Sequence, residues 1–416
     1  MSGDAGSDNA RRAAEQAARD SFGRLVALLA VQTRDIAAAE DALGDALHSA
    51  LAVWTERGVP ENPEAWLVTA ARNRLRNVAR SGQVRRLAEP EIIRRLEECV
   101  STPGLPDERL RLMFVCAHPA IDPGARTPLI LQTVLGLDAA QIARAFLVEP
   151  SAMGQRLVRA KARIRDAGIR FELPEPEDMS ARVAAVLDAI YAAFGAAWDG
   201  WEQPEAPDAL TGEAIWLARL LVSLMPQEPE PKGLLALMLY CTARRRARRD
   251  AEGRFIPLDR QDARLWNRDM IIEAEGLLTA AARIGRFGRY QCEAAIQSVH
   301  VQRPITGKPN HEALLALYNA LIQHADSIGA RIGRATVLAE TGNTAAALEA
   351  LQELPASRVD HHQPYWVALS HAQEKAGDLP KAADALQKAI ALTPDRAVSA
   401  YLGERLKSIT ERLGDT

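Results

Sequence analysis

The chain has 416 residues, of which 48% are hydrophobic, 5% aromatic and 25% charged, with a formal net charge of −3. That length is enough for two or three domains with proper cores, and the near-neutral charge excludes a wholesale nucleic-acid coat. An Ala- and Leu-rich, aromatic-poor composition points to helix-on-helix packing, an all-α fold. No run of 18 apolar residues occurs and the N-terminal MSGDAGSDNARRAAEQ lacks an apolar h-region, so no membrane partner and no export are expected. Cys99, Cys116, Cys241 and Cys292 lie far apart without a CxxC pair, which fits free thiols in a reducing cytoplasm and gives no metal site.

In chain order, the first dozen residues are polar and expected to be disordered. Asp35–Trp54 and Asn62–Arg80 follow as helices, separated by a Thr55–Glu61 loop that contains Gly58 and Pro60. Arg72, Arg76 and Arg80 recur every four residues and share one helical face, while Ala65, Trp66, Val68, Thr69 and Leu75 give the helix an apolar side. Residues 124–166 carry apolar positions (Leu129, Val134, Ile142, Phe146, Met153, Leu157, Ile164) in helical rhythm across three short segments. Asp138 is placed to N-cap the middle segment and Ser151, behind Pro150, the last. Gln155, Arg156, Arg159, Lys161 and Arg163 occupy the side away from Met153, Leu157 and Ile164. From Ser151 to Glu172 there are six basic and two acidic residues, a local charge of +4. A capped three-helix segment ending in a basic-faced helix is the pattern of a helix-turn-helix DNA reader. Near the C-terminus GNTAAALEAL (Gly342–Leu351) and GDLPKAADAL (Gly377–Leu386) align at a spacing of 35 residues, the period of tetratricopeptide (TPR) hairpins.

DIAAAEDALGDALHSALAVW (Asp35–Trp54) and NPEAWLVTAARNRLRNVAR (Asn62–Arg80) resemble the polymerase-clamp helix and the minus-10 helix of bacterial sigma factors. With the downstream reader they match the layout of the extracytoplasmic-function (ECF) sigma factors. DERLRLMFVCAHPAIDPGAR, LDRQDARLW, GRYQCEAAIQSVH and ALYNALI resemble the subgroup with a long TPR-like C-terminal extension. The resemblance implies a tail at 1–12, a promoter-opening domain at 13–80, a linker at 81–106 and a minus-35 domain at 107–172. A helical extension at 178–325 and TPR-like repeats at 326–416 would complete the chain. It implies core RNA polymerase and promoter DNA as partners, with a protein or peptide on the repeats, and no cofactor. Asp35, Asp41, Asp45, Leu47 and Trp54 would dock on polymerase. Asn62, Arg72, Asn73, Arg76 and Arg80 would hold the minus-10 strand, and Ser151, Gln155, Arg156, Arg159, Lys161 and Arg163 the minus-35 duplex.

Two other readings compete. Gly44 and Gly154 stand where relatives carry longer polar side chains, which favours a scaffold that no longer initiates transcription. An enzyme or small-molecule binder would use a pocket lined by Trp198, Trp201, Asp259, Asp262 and Trp266, with an aspartate raised by burial as general acid. The run ARRRARRDAEGR (Ala243–Arg254) reads as a solvated inter-helix loop, and VCAHP, around Cys116 and His118, as a structural turn.

Overall fold

The computed structural model describes residues 2–80, 108–146, 148–199, 206–307 and 309–414. Among them the regular elements are helices, with no strand beyond one isolated antiparallel bridge, Arg249 to Phe255, so the fold is all-α. No helix among the described residues is long and apolar enough to cross a membrane. The expected linker at 81–106 lies outside the described residues. The chain divides into two compact units, Met1–Leu217 and Ala218–Thr416.

The first unit begins with α1 (Ser2–Thr33), α2 (Ile36–Arg57) and α3 (Pro63–Arg80). Helix α1 reaches back to Ser2, where a disordered tail was expected. Ala10, Ala14, Ala17 and Ser21 are buried at helical spacing, so the stripe that docks the helix already includes Ala10, within the expected tail. In α2 the buried stripe is Ile36, Ala39, Leu43, Ala46, Ala50 and Trp54. Asp35 caps that helix by accepting from Ala38 N at 3.1 Å, and Gly58, at φ 84°, ends it. The helix therefore runs through Thr55–Arg57, and the connection to α3 is shorter than the expected loop.

Next come α4 (Arg109–Cys116), α5 (Pro123–Leu135), α6 (Ala139–Ala145), α7 (Pro150–Asp166) and α8 (Pro176–Asp199). Helix α5 is apolar nearly all round, with Ala125, Pro128, Leu129, Ile130, Leu131, Thr133 and Val134 buried, because α1, α4, α6, α7 and α8 all pack on it. On α8 the stripe Val183, Val186, Leu187 and Ile190 is buried, and the α5–α8 packing makes this helix part of the first unit. The boundary expected at 178 thus falls inside the packed body, and the second unit begins within α9 (Ala206–Leu224).

The second unit continues through α10 (Pro229–Ala243), three short 3-10 turns, α11 (Arg268–Arg283), α12 (Arg289–Thr306) and α13 (His311–His324). Antiparallel neighbours α14 (Ile328–Glu340) and α15 (Thr344–Gln352) lead through a single turn, α16 (Ala356–Val359), to α17 (Gln363–Lys375), α18 (Leu379–Ala391) and α19 (Arg396–Gly414). The 35-residue repeat reappears as repeated cap geometry. Gly342 and Gly377 take φ of 86° and 84°, and Asn343 and Asp378 accept from Ala346 N and Lys381 N at the starts of α15 and α18.

Helix α10 supplies the seam of this unit. The Glu230 carboxylate accepts from the backbone N–H of Tyr290 (2.9 Å) and Gln291 (3.2 Å), so a side chain of one helix caps another. Three residues on, Gly233 meets the same turn, and a Cβ there would lie 2.6 Å from Gln291 N. Gly233→Ala should therefore lower the unfolding free energy by about 2–3 kcal/mol through overpacking against backbone. Gly276→Ala, mid-helix with nothing within 4 Å, should raise it by roughly 1 kcal/mol. Urea denaturation of the two variants checks both signs.

His300 lies on α12, and burial, assisted by Arg244, Arg303 and His311, pushes its imidazole down to about 4. The folded chain holds this histidine neutral while the unfolded chain protonates it near pH 6.5. The neutral form's contribution is thus complete above that pH and is lost as pH falls toward 4. His300→Gln should flatten the stability slope between roughly pH 6.5 and 4, worth about 3 kcal/mol over the window, in urea melts at stepped pH.

Candidate nucleic-acid interface

Three helices build the candidate site, two of them capped at their starts by side chains. Asp122 starts α5 by accepting from Gly124 N, and Gly136, in the left-handed region at φ 70°, ends it. Asp138 and Gln141 cap α6 reciprocally. Asp138 Oδ1 accepts from Gln141 N at 2.7 Å, and Gln141 Oε1 accepts from Asp138 N at 2.9 Å. Helix α7 starts differently from expectation. Pro150 is its first residue and the extended Glu149 its N-cap without a side-chain bond, so Ser151 sits in the first turn, exposed, and caps nothing.

Met153, Leu157, Ala160 and Ile164 bury one side of α7 against α5 and α6. Ser151, Gln155, Arg159 and Arg163 are exposed on the other sides, together with Val158. Arg156 and Arg163 lean back toward the start of α5, reaching Gly124 O and Ala120 O, each at 3.4 Å. The last turn of α4 and the connection to α5 receive further donors. Arg126 reaches Ile121 O at 3.0 Å, and Arg182 of α8 reaches Phe114 O at 3.3 Å. His118 Nδ1 accepts from Ala120 N, and Cys116, its thiol pushed up to about 12 by burial, lies beside Thr133. VCAHP is a structural turn.

Lys161 departs from its expected role. It lies four residues after Leu157, on the flank of the buried stripe, and pairs with Glu40 of α2 at 2.5 Å. The two side chains are only 11% and 20% exposed, and Glu40 Oε1 is buried without a partner. Burial holds the Glu40 carboxyl above its ordinary value despite the lysine. A lysine so occupied is not a free phosphate ligand.

The minus-10 set is likewise divided. Asn62 caps α3 by accepting from Ala65 N at 3.0 Å. Arg72 is 5% exposed and donates from Nε to Gln32 Oε1 at 3.2 Å. It follows Val68 by four residues, so it shares the face that buries Leu67, Val68 and Ala71, and it is an inward-facing group rather than a strand contact. Asn73 is exposed, Arg76 half-buried, and the Arg80 side chain lies outside the described residues. Among the polymerase candidates Asp41 is exposed, Asp45 is exposed and paired with Arg74 at 2.7 Å, and Leu47 is half-buried. Asp35 serves as the α2 cap. Trp54, 2% exposed, ends the α2 core stripe and meets Trp66 edge-on at 5.4 Å, so it is core and not contact surface.

Trp201 and the Trp198 side chain lie outside the described residues, Asp259 is exposed, and Trp266 is buried. Asp262 is gripped by the Arg264 side chain and backbone, which hold its carboxyl below the usual range, the reverse of what a general acid needs. The arginine run is not a solvated loop. Arg244 is half-buried against Gln297 and Tyr240 O, and Arg249 pairs with Asp395 at 2.6 Å. Phe255 sits edge-on to Tyr401 at 5.5 Å.

Sequence reasoning passed over Glu40, Gln32, Val158 and the Arg109 cluster, in which Arg109 pairs with Glu213 and stacks at 4.0 Å on Trp216. Glu40 was readable in principle, since it follows the buried Ile36 by four residues. Its partner, 121 residues away, was not.

The helices thus define an all-α protein of two units, the first of which carries an open, basic helix face. Residues 182–282, from α8 into α11, match a family of unknown function, DUF6596. The chain belongs to the same family as the "Uncharacterized protein R00370" of Rhizobium meliloti (strain 1021), with which it is 37% identical over 382 residues, 90% of each chain. No solved structure matches it.

Glu40→Ala would leave Lys161 unpaired in a mostly buried site. Unit 1 should lose roughly 2–4 kcal/mol, and Lys161→Met in the same background should restore part of it, both read by thermal or urea unfolding.

Proposed function

We propose that this protein is an ECF-type RNA polymerase sigma factor whose C-terminal TPR-like unit regulates it in cis. The observation that carries the reading is the exposed face of α7, with Ser151, Gln155, Arg159 and Arg163 on a three-helix frame downstream of α1–α3. Arginine and glutamine at such positions suit guanine and adenine edges in the major groove, and the surrounding positive charge suits phosphates. Core RNA polymerase would meet α2 through Asp41, Asp45 and Leu47. Asn73 and Arg76 are the remaining contacts of α3 for a melted strand, with Arg72 and Trp54 supporting them from within.

One further reading has an observation in its favour. Trp54, Arg72 and Lys161, three residues of the expected contact sets, are spent on internal packing, which suits a scaffold that keeps the sigma architecture without the activity.

Run-off transcription with core polymerase and the full chain separates the two. The sigma reading expects a polymerase complex and promoter-dependent transcripts. Arg159→Ala should weaken promoter binding by about 1–3 kcal/mol and blur one position. A folded chain that fails to bind core polymerase overturns the sigma reading and leaves the scaffold. Regulation in cis is tested by a chain cut after Leu224, since a cut at 178 would strip α8 from α5. Once circular dichroism shows that the shortened chain is folded, unchanged transcript yield would end the idea of control by the second unit.

A further inference from the structure

Val158 is 68% exposed, the most exposed of the large hydrophobic residues described, and it lies in the middle of α7. The buried side is Met153, Leu157, Ala160 and Ile164, and Val158 faces away from it among Ser151, Gln155 and Arg159. Helix formation gives no reason for it, since a β-branched residue is a poorer helix former than the Ala or Leu common in this chain. What β-branching does supply is rigidity. In a helix Val has one strongly preferred χ1, so its two methyl groups are held in one place before anything binds.

A fixed apolar knob between a glutamine and an arginine on a helix face has a natural counterpart in DNA. The major groove offers one large apolar group, the C5-methyl of thymine, and aliphatic side chains contact it directly. Gln155 and Val158 are separated by about 4.5 Å along the helix axis at 1.5 Å per residue, close to the 3.4 Å step of a base pair. We propose that Val158 reads the thymine C5-methyl in the base step next to the one contacted by Gln155. It is a specificity-determining residue beside the hydrogen-bonding pair Gln155 and Arg159. This rests on the DNA-reading role of α7 proposed above.

The test uses the full chain bound to core RNA polymerase and duplexes selected by that complex from a randomised pool. Each thymine of the selected site is replaced in turn by deoxyuridine, which removes a single methyl group and no hydrogen bond. The expected result is one position at which deoxyuridine weakens binding about fourfold, the weight of one buried methyl. Val158→Ala should bind the thymine duplex more weakly and the thymine and deoxyuridine duplexes equally. If Arg159→Ala weakens binding but deoxyuridine is neutral at every position, or costs Val158→Ala as much as the parent, the Val158 assignment is wrong while the DNA reading stands. If the complex selects no sequence, or no complex forms, the DNA reading of α7 falls and takes the assignment with it.

Discussion

Helix α1 can cross α5 only because residue 23 has no side chain. A Cβ on Gly23 would run into the Val134 carbonyl, a backbone group that cannot swing aside. That close approach seats α1, on which α2 and α3 pack, against α5, and α5 in turn is where α4, α6, α7 and α8 find their apolar partner. The orientation of α7, and so the direction in which Gln155, Val158 and Arg159 point, depends on a helix in which almost every side is buried.

Charge is handled in the same unit by enclosure. Lys161, Arg72, Arg109 and Arg182 are each drawn under the surface and given an acceptor: a carboxylate, a glutamine, a glutamate beside a tryptophan, and a main-chain carbonyl. Their removal from the surface sharpens what is left. Of the exposed cations of α7, Arg159 and Arg163 share one side while Arg165 lies apart beside Asp166, so the face has a small footprint rather than a diffuse positive field.

Local features were legible in the sequence, and those that depend on distant partners were not. The all-α class, the Asp138 cap and the 35-residue repeat follow from composition, capping chemistry and period, which act within a few residues of chain. Ser151 is not the cap because a proline fits the first helical position itself, which moves the start two residues earlier than the sequence pattern suggests. The sigma-factor resemblance puts Arg72, Lys161 and Trp54 on contact surfaces, although each lies three or four residues from a core position and so carries a local signal against that reading. The arginine run after α10 shows the opposite difficulty. Five arginines in a row of seven residues look solvated until Gln297 and Asp395, far along the chain, provide the acceptors.

The place of α8 has a consequence for descent. The stretch shared with the DUF6596 family opens inside a helix that the first unit needs to close its own core, and ends in α11 of the second unit. A recombination that exchanged this stretch as a cassette would separate Val183, Val186, Leu187 and Ile190 from the α5 surface they cover. Both the donor and the recipient would be left with an uncovered apolar face, so the join is protected against shuffling. The constraint falls inside the first unit, where α8 and α5 have to change in step wherever their side chains meet.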